Sequence, residues 1–241
     1  PFDLFCEFMG YWLSDVSTMG NAGVVISQQE GEPARDRIVN CVKRIGFEPH
    51  LDKQEVAFYS TPIRNYLKIF GKCSHKFIPS AIKNASVRQI RIFLNAFMLC
   101  DGYRQPCKSF VGNHGTEFKS DKDEILYFTV SERMAGDLSE LILKSGNRPS
   151  FSVNKAGVSH KSNGSIITSN YDCYSIRECY SVTSTVFHKE IQHYDGFVYD
   201  LTLEKNHIMY IRRNGKCFWG SNCRCYKIPV SYTHLTLPTN R

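Results

Sequence analysis

Apolar residues recur at helical spacing in two separated stretches of the chain. Leu4, Phe8, Tyr11 and Trp12 fall at i, i+4, i+7 and i+8, and Ile90, Leu94, Phe97 and Met98 do the same. Each stretch predicts an amphipathic helix with one face turned to a core. The second set is the first displaced by 86 residues, and at that displacement Gly10 falls on Ala96 and Asp15 on Asp101. A small residue in a bulky stripe lets two helix backbones approach closely. An acid at the end of both helices is opposed by the helix dipole, by roughly 0.3 to 1 kcal/mol, and a cation shared between the two ends would offset that cost.

The segments that follow alternate between the two periods. In the first half, Gly23 to Ser27 predicts a strand. Ile38, Cys41, Val42 and Ile45 predict a helix stopped by Gly46 with Pro49 beyond. Val56 to Tyr59 predicts a strand, and Asn65 to Phe70 a short helix closed by Gly71. In the second half, Leu126 to Val130 predicts a strand, and Leu138, Leu141 and Ile142 a helix ending at Lys144-Ser145-Gly146-Asn147-Arg148-Pro149. That ending repeats Arg44-Ile45-Gly46-Phe47-Glu48-Pro49 at a displacement of 100, so the second copy is longer by 14 residues, most of which the polar stretch Gly112 to Glu124 can hold. The expected class is α+β, two pseudo-symmetric αββαββα halves with antiparallel sheets. Further on, Val198, Leu201 and Leu203, then Ile208 and Tyr210, alternate as strands, with Asn214-Gly215 a hairpin turn, predicting a small C-terminal all-β part.

Composition narrows the function classes. A chain of 241 residues can bury one large or two small cores. The net charge of +7 suits a polyanion. No apolar run is long enough to span a bilayer, so no membrane role is expected. Ten cysteines without a signal peptide or a paired C-x-x-C spacing read as reduced thiols in a cytoplasm; Cys223-Arg224-Cys225 is the one close pair. Opening at Pro1, directly before a predicted helix, reads as a fragment.

The stretches Phe8-Met9-Gly10-Tyr11-Trp12-Leu13-Ser14-Asp15-Val16 and Leu94-Asn95-Ala96-Phe97-Met98-Leu99-Cys100-Asp101-Gly102 resemble the LAGLIDADG motif of homing endonucleases. Two copies in one chain resemble the family's pseudo-symmetric monomers. The resemblance implies an Mg2+-dependent nuclease making double-strand breaks in a long DNA site, with Asp15 and Asp101 as catalytic metal ligands at the helix interface. Twisted strands would sit in the major groove, where every base pair is distinguishable. Lys53, Lys68, Lys72 and Lys76 in one half, and Lys108, Lys119, Lys122, Arg148 and Lys155 in the other, are candidate phosphate contacts. The motif's closing Gly is Val16 in the first copy, and a left-handed helix stop would not suit a β-branched residue. The family's strand lysine is missing from Ser27-Gln28-Gln29-Glu30 and from Thr129-Val130-Ser131-Glu132. The alternatives that stay open are a DNA-binding scaffold that does not cut, and RNA-binding or transcriptional use of the same scaffold.

The run from Tyr194 to His207, followed by Gly215 to Cys223, resembles the C-terminal end of an intein (Hint) splicing domain. The resemblance implies Asn222 as the residue that cyclises, Cys223 as the downstream nucleophile, and Asp200 and His207 as acid/base residues. The partner implied is a separate N-terminal intein segment. The expected divisions are residues 1–89 and 90–190 for the two halves, 191–222 for the splicing segment and 223–241 for host sequence and an adapter-like tail. Asn222-Cys223-Arg224-Cys225 resembles a phage head-morphogenesis protein, so the expected setting is a bacterial or phage-infected cytoplasm.

Overall fold

A computed structural model of the chain describes residues 2–14, 16–19, 23–106, 109–111, 117–119, 123–160, 166–180, 190–191, 193–197, 201–203, 207–213 and 215–221. The first half runs α1 (Phe2–Ser14), β1 (Val16–Met19), β2 (Gly23–Ser27), α2 (Arg35–Ile45), β3 (His50–Leu51), β4 (Glu55–Tyr59) and α3 (Thr61–Leu67). A one-turn helix α4 (Ser80–Lys83) precedes the second half. That half runs α5 (Val87–Asp101), β5 (Gly102–Gln105), β6 (Ser109–Val111), β7 (Glu117–Lys119), β8 (Glu124–Thr129), α6 (Glu132–Lys144), β9 (Arg148–Asn154), β10 (Gly157–His160), β11 (Ile166–Ser169) and β12 (Cys173–Cys179). A hairpin, β13 (Ile208–Arg213) and β14 (Lys216–Ser221), follows. The fold class is α+β, as expected from the alternating periods.

The two halves share one topology. Four antiparallel strands are ordered β1-β2-β4-β3 in the first sheet and β5-β8-β12-β9 in the second, so each half joins two hairpins by one helix. The helix stops match as well. Gly46 (φ 103°) donates to Lys43 O at 2.9 Å while Phe47 N reaches Val42 O at 3.2 Å. Gly146 (φ 91°) donates to Leu143 O at 3.1 Å while Asn147 N reaches Ile142 O at 3.2 Å. Only glycine takes this left-handed turn without strain, which is why the two Gly-x-x-Pro endings were readable. The closing helix of the second copy would follow β12, and residues 181–189 lie outside the described residues.

The extra length of the second half sits in its hairpins. Three residues join β1 to β2, whereas residues 106–123 lie between β5 and β8 and include the pair β6-β7. Likewise three residues join β3 to β4, but 155–172 join β9 to β12 and include β10-β11. Two other expectations are corrected. The third helix starts at Thr61 rather than Asn65, because the Ser60 hydroxyl caps Ile63 N and Pro62 fits the first turn; Lys68–Phe70 is a 3-10 turn. Leu201–Leu203 form no strand. Leu201 is 59% exposed, so its alternation is not matched to any buried face.

Helices α1 and α5 are the centre of one core shared by both halves. A Cβ placed on Gly10 would lie 2.6 Å from Ala96 Cβ and 2.6 Å from Phe93 O, so the two backbones touch. At their other end, Asp3 accepts from Gln89 Nε2 at 2.9 Å and from Arg88 at 2.5 and 2.9 Å. These bonds hold the Asp3 carboxyl down at about 2. Asp3 and Gln89, like Gly10 and Ala96, are 86 residues apart. Each helix meets its partner at its own repeat equivalent, as elements do along a twofold axis.

In the second half, fully buried Glu178 on β12 takes Arg91 of α5, the Tyr127 hydroxyl of β8 at 2.7 Å and Asn147 beyond α6. Burial and this carboxylate push the Tyr127 hydroxyl pKa up. The network fastens the second sheet to the central helix with its buried charge partnered.

Replacing Gly10 by Val should destabilise the chain by about 1 to 3 kcal/mol or more, since branched carbons must displace backbone at Phe93. The midpoint of urea unfolding reads this directly.

Candidate metal and nucleic-acid site

The last turns of α1 and α5 end beside the two sheets. Asp101, half-buried, is the final residue of α5. Gly102 then passes straight into β5 with φ −126° and ψ 170°. The stop is extended, not left-handed, which corrects the expectation drawn for Val16: a β-branched residue enters a strand readily. Gly102 is needed for space instead, because a Cβ there would lie 2.5 Å from Met98 O. Asp101 also lies near the start of β12. After burial, its charge is the cause that raises the Cys173 thiol pKa.

Asp15 lies outside the described residues, between Ser14 at the end of α1 and Val16 at the start of β1. At the α1 end the structure supplies something the sequence pattern did not. Lys76 Nζ donates to Leu13 O and to Ser14 O, both at 3.0 Å. An ammonium on the terminal carbonyls complements the negative end of the helix dipole. The Lys76 ammonium, expected among phosphate contacts, is thus engaged at the helix end. Its segment is anchored from the second half: the Ser131 hydroxyl donates to Lys76 O at 2.6 Å, and Ile78 N donates to Asp137 Oδ2 at 3.0 Å.

Beside these helix ends, a cleft of about 470 Å³ runs along Ser27, Gln28, Gln29, Glu55, Leu99 and Cys100. Glutamines stand where the resemblance implied a lysine. Oxygen is the donor type that a hard divalent cation takes, and Asp101 offers it in kind. Among the described residues, no group of three or more His, Cys, Asp and Glu side chains could hold a metal ion.

The outer face of the second sheet follows from register. Tyr103 faces Leu126, Arg177 faces Ser150, Ser175 faces both Phe128 and Ser152, and Cys173 faces Asn154. With Arg148 opposite Cys179, this face carries hydroxyl, amide and guanidinium groups at strand spacing, opposite the core face of Tyr127, Ile176 and Glu178. In the first sheet the corresponding positions include Val25, Ala57 and His50 in one row and Ser27 and Glu55 in the next. The two faces differ in chemistry despite their shared topology.

Of the other candidate cations, Lys53, Lys68 and Lys72 are exposed. Lys155 is paired with Asp172 at 2.7 Å, so its charge is already matched. Lys108, Lys122 and the side chain of Lys119 lie outside the described residues. So do Asp200, Asn222 and Cys223. His207 is described, exposed at φ 51° in the turn entering β13, next to Ile208, whose register partner is Ser221. No helix among the described residues is long and apolar enough to cross a membrane.

No family model matches the chain, and no curated protein matches its sequence. Among solved structures it is similar to I-DmoI in complex with DNA and Mn, at 12% identity and TM-score 0.44, covering 73% of this chain and 89% of that one. It is also similar to mesophilic variants of the homing endonuclease I-DmoI, at 12% identity and TM-score 0.43, covering 73% and 88%.

Lys76→Met should lower stability by about 1.5 to 3 kcal/mol through loss of a charged hydrogen-bond donor to two carbonyls. Chemical denaturation of the variant beside wild type checks this.

Proposed function

We propose that the chain is a metal-dependent DNA endonuclease of the LAGLIDADG homing type, acting on a long asymmetric duplex site as a single polypeptide. The observation that carries this is the pairing of α1 with α5 at repeat-equivalent positions, Asp3 with Gln89 and Gly10 against Ala96. Continued to the helix ends, the same 86-residue relation would bring Asp15 toward Asp101. Residues 1–89 and 90–190 are the two halves on this reading. Asp15 and Asp101 would hold a divalent cation such as Mg2+, which when bound activates water and neutralises the leaving oxygen. The outer sheet faces track the duplex, Arg148 and Arg177 with Ser150, Ser152 and Asn154 reading or positioning it in one half. Longer hairpins in that half support an unequal footprint.

A second reading, binding without cutting, is favoured by Lys76. Its ammonium already neutralises the end of α1, so charge balance there does not demand a metal. Duplex binding measured by gel shift, followed by cleavage with Mg2+, separates the two. On the first reading, Asp101→Asn leaves binding within a few fold and abolishes cleavage; unchanged cleavage would remove the metal role. Binding by wild type with no cleavage at any Mg2+ concentration would leave the second.

Residues 191–222 we assign to the C-terminal part of an intein, with Asn222, Cys223, His207 and Asp200 in the roles the resemblance implies. A two-residue connection between Arg213 and Lys216 and the β13-β14 ladder support this reading. Mixed with a separately supplied N-terminal segment, the chain should yield ligated product. Asn222→Ala should block release; no product with wild type would count against the assignment.

A further inference from the structure

The β13-β14 hairpin does not stand away from the rest of the chain but is keyed into α6. Arg212 Nη1 lies 3.2 Å from Asp137 Oδ1, and Nη2 donates to Arg133 O at 3.3 Å. Gly136 makes room, since a Cβ there would overlap the guanidinium at 1.6 Å. Cys217 Sγ, buried, lies 2.7 Å from the Tyr210 hydroxyl and 3.6 Å from Gly136 O. At the turn, Gly215 (φ 74°) sits over the Phe151 ring of β9. The hairpin is thus held beside β9, the edge strand of the second sheet.

Between β9 and β14 this docking leaves a cleft of about 470 Å³, within the span of about 300 to 1,000 Å³ common for small-ligand sites. Asn147, Arg148 and Ser150 line one side, and Lys216, Phe218 and Trp219 the other. None of its described lining residues is acidic. Trp219 and Phe218 keep 50% and 47% of their surface exposed. The Trp219 ring is oriented by an edge contact with Tyr210, centroids 6.1 Å apart at 74°. An oriented, half-open indole with cationic side chains on both walls is the combination that binds a base by its face and a phosphate by its charge.

We propose that this cleft binds a nucleotide unit, the base stacked on Trp219 and the phosphate held between Arg148 and Lys216. The unit can come from a nucleic-acid strand leaving the second sheet, since Arg148 and Ser150 also belong to that sheet's outer face, or from a free nucleotide. The site needs neither Asp15 nor Asp101, so it is separable from the proposed cleavage.

The test uses the full chain at fixed salt, with a short oligodeoxythymidylate and adenosine monophosphate as separate probes. Saturable quenching of tryptophan emission is expected, arising from Trp219 because Trp12 is buried. Quenching by the oligonucleotide alone identifies a strand as the source; quenching by the mononucleotide identifies a free nucleotide. Lys216→Gln, an exposed position that folding tolerates, should weaken binding on the order of tenfold. Trp219→Ala, followed by anisotropy of a labelled strand, should do the same. No quenching by either probe, or unchanged affinity in Lys216→Gln, overturns the proposal. Duplex binding measured in the same variants separates this outcome from failure of the endonuclease reading: loss of duplex binding with intact quenching leaves the cleft standing.

Discussion

Contact of α1 with α5 at Gly10 and Ala96 is the constraint from which the rest of the architecture follows. Backbone meets backbone there, so the crossing point is fixed by the absence of atoms, not by a choice among rotamers. Every repeat-related feature is then placed by its distance along the two helices from that point. The Asp3 to Gln89 bond lies toward their starts, and Asp101 and the Lys76-capped carbonyls lie at their ends. The sheets inherit the relation because β1 and β5 begin directly where α1 and α5 stop. A helix pair so close leaves little freedom for one half to slide on the other.

Much of this was readable because it is written in local rules. The helical apolar spacing and the glycine stops at Gly46 and Gly146 each concern neighbours within a few turns, and the displacement of 86 residues is such a local pattern met twice. What escaped was non-local. Nothing in the sequence around Lys76 says that its ammonium will reach Leu13 O and Ser14 O, more than sixty residues earlier. The hub at Asp137 is equally silent: its carboxylate gathers Ile78 N and Lys83 from the segment joining the halves and Arg212 from β13. The run at Leu201 misled in the opposite direction, since alternation describes a face but does not create a surface to cover it. The left-handed stop weighed against Val16 was a rule carried from ordinary helix ends, where the chain usually turns away; after Asp101 it runs straight on into a strand.

Charge placement at the helix ends links fold to chemistry. An acid beside the carbonyl end of a helix is unfavourable unless a cation is near, and the protein supplies one from its own chain at α1. That lysine comes from the segment joining the two halves and is anchored by Ser131 and Asp137 of the second. Half two therefore sets the electrostatics at the end of half one's helix. The sheets show the same inequality. One outer face sets Arg148, Arg177, Ser150, Ser152 and Asn154 beside Tyr103 and Phe128; the other buries Val25 and Ala57 and exposes His50 and Tyr59. The two halves keep one frame while their surfaces differ.

The keyed hairpin bears on modularity. Because Gly136 is shaped around Arg212, and Asp137 shares its oxygens between the inter-half segment and β13, the two blocks are not independent units joined by a tether. Excision of the C-terminal block would open a groove along α6, expose Gly136 and leave a carboxylate with one fewer counter-charge. A lineage carrying this chain could not shed either block without first reworking the surface of the other.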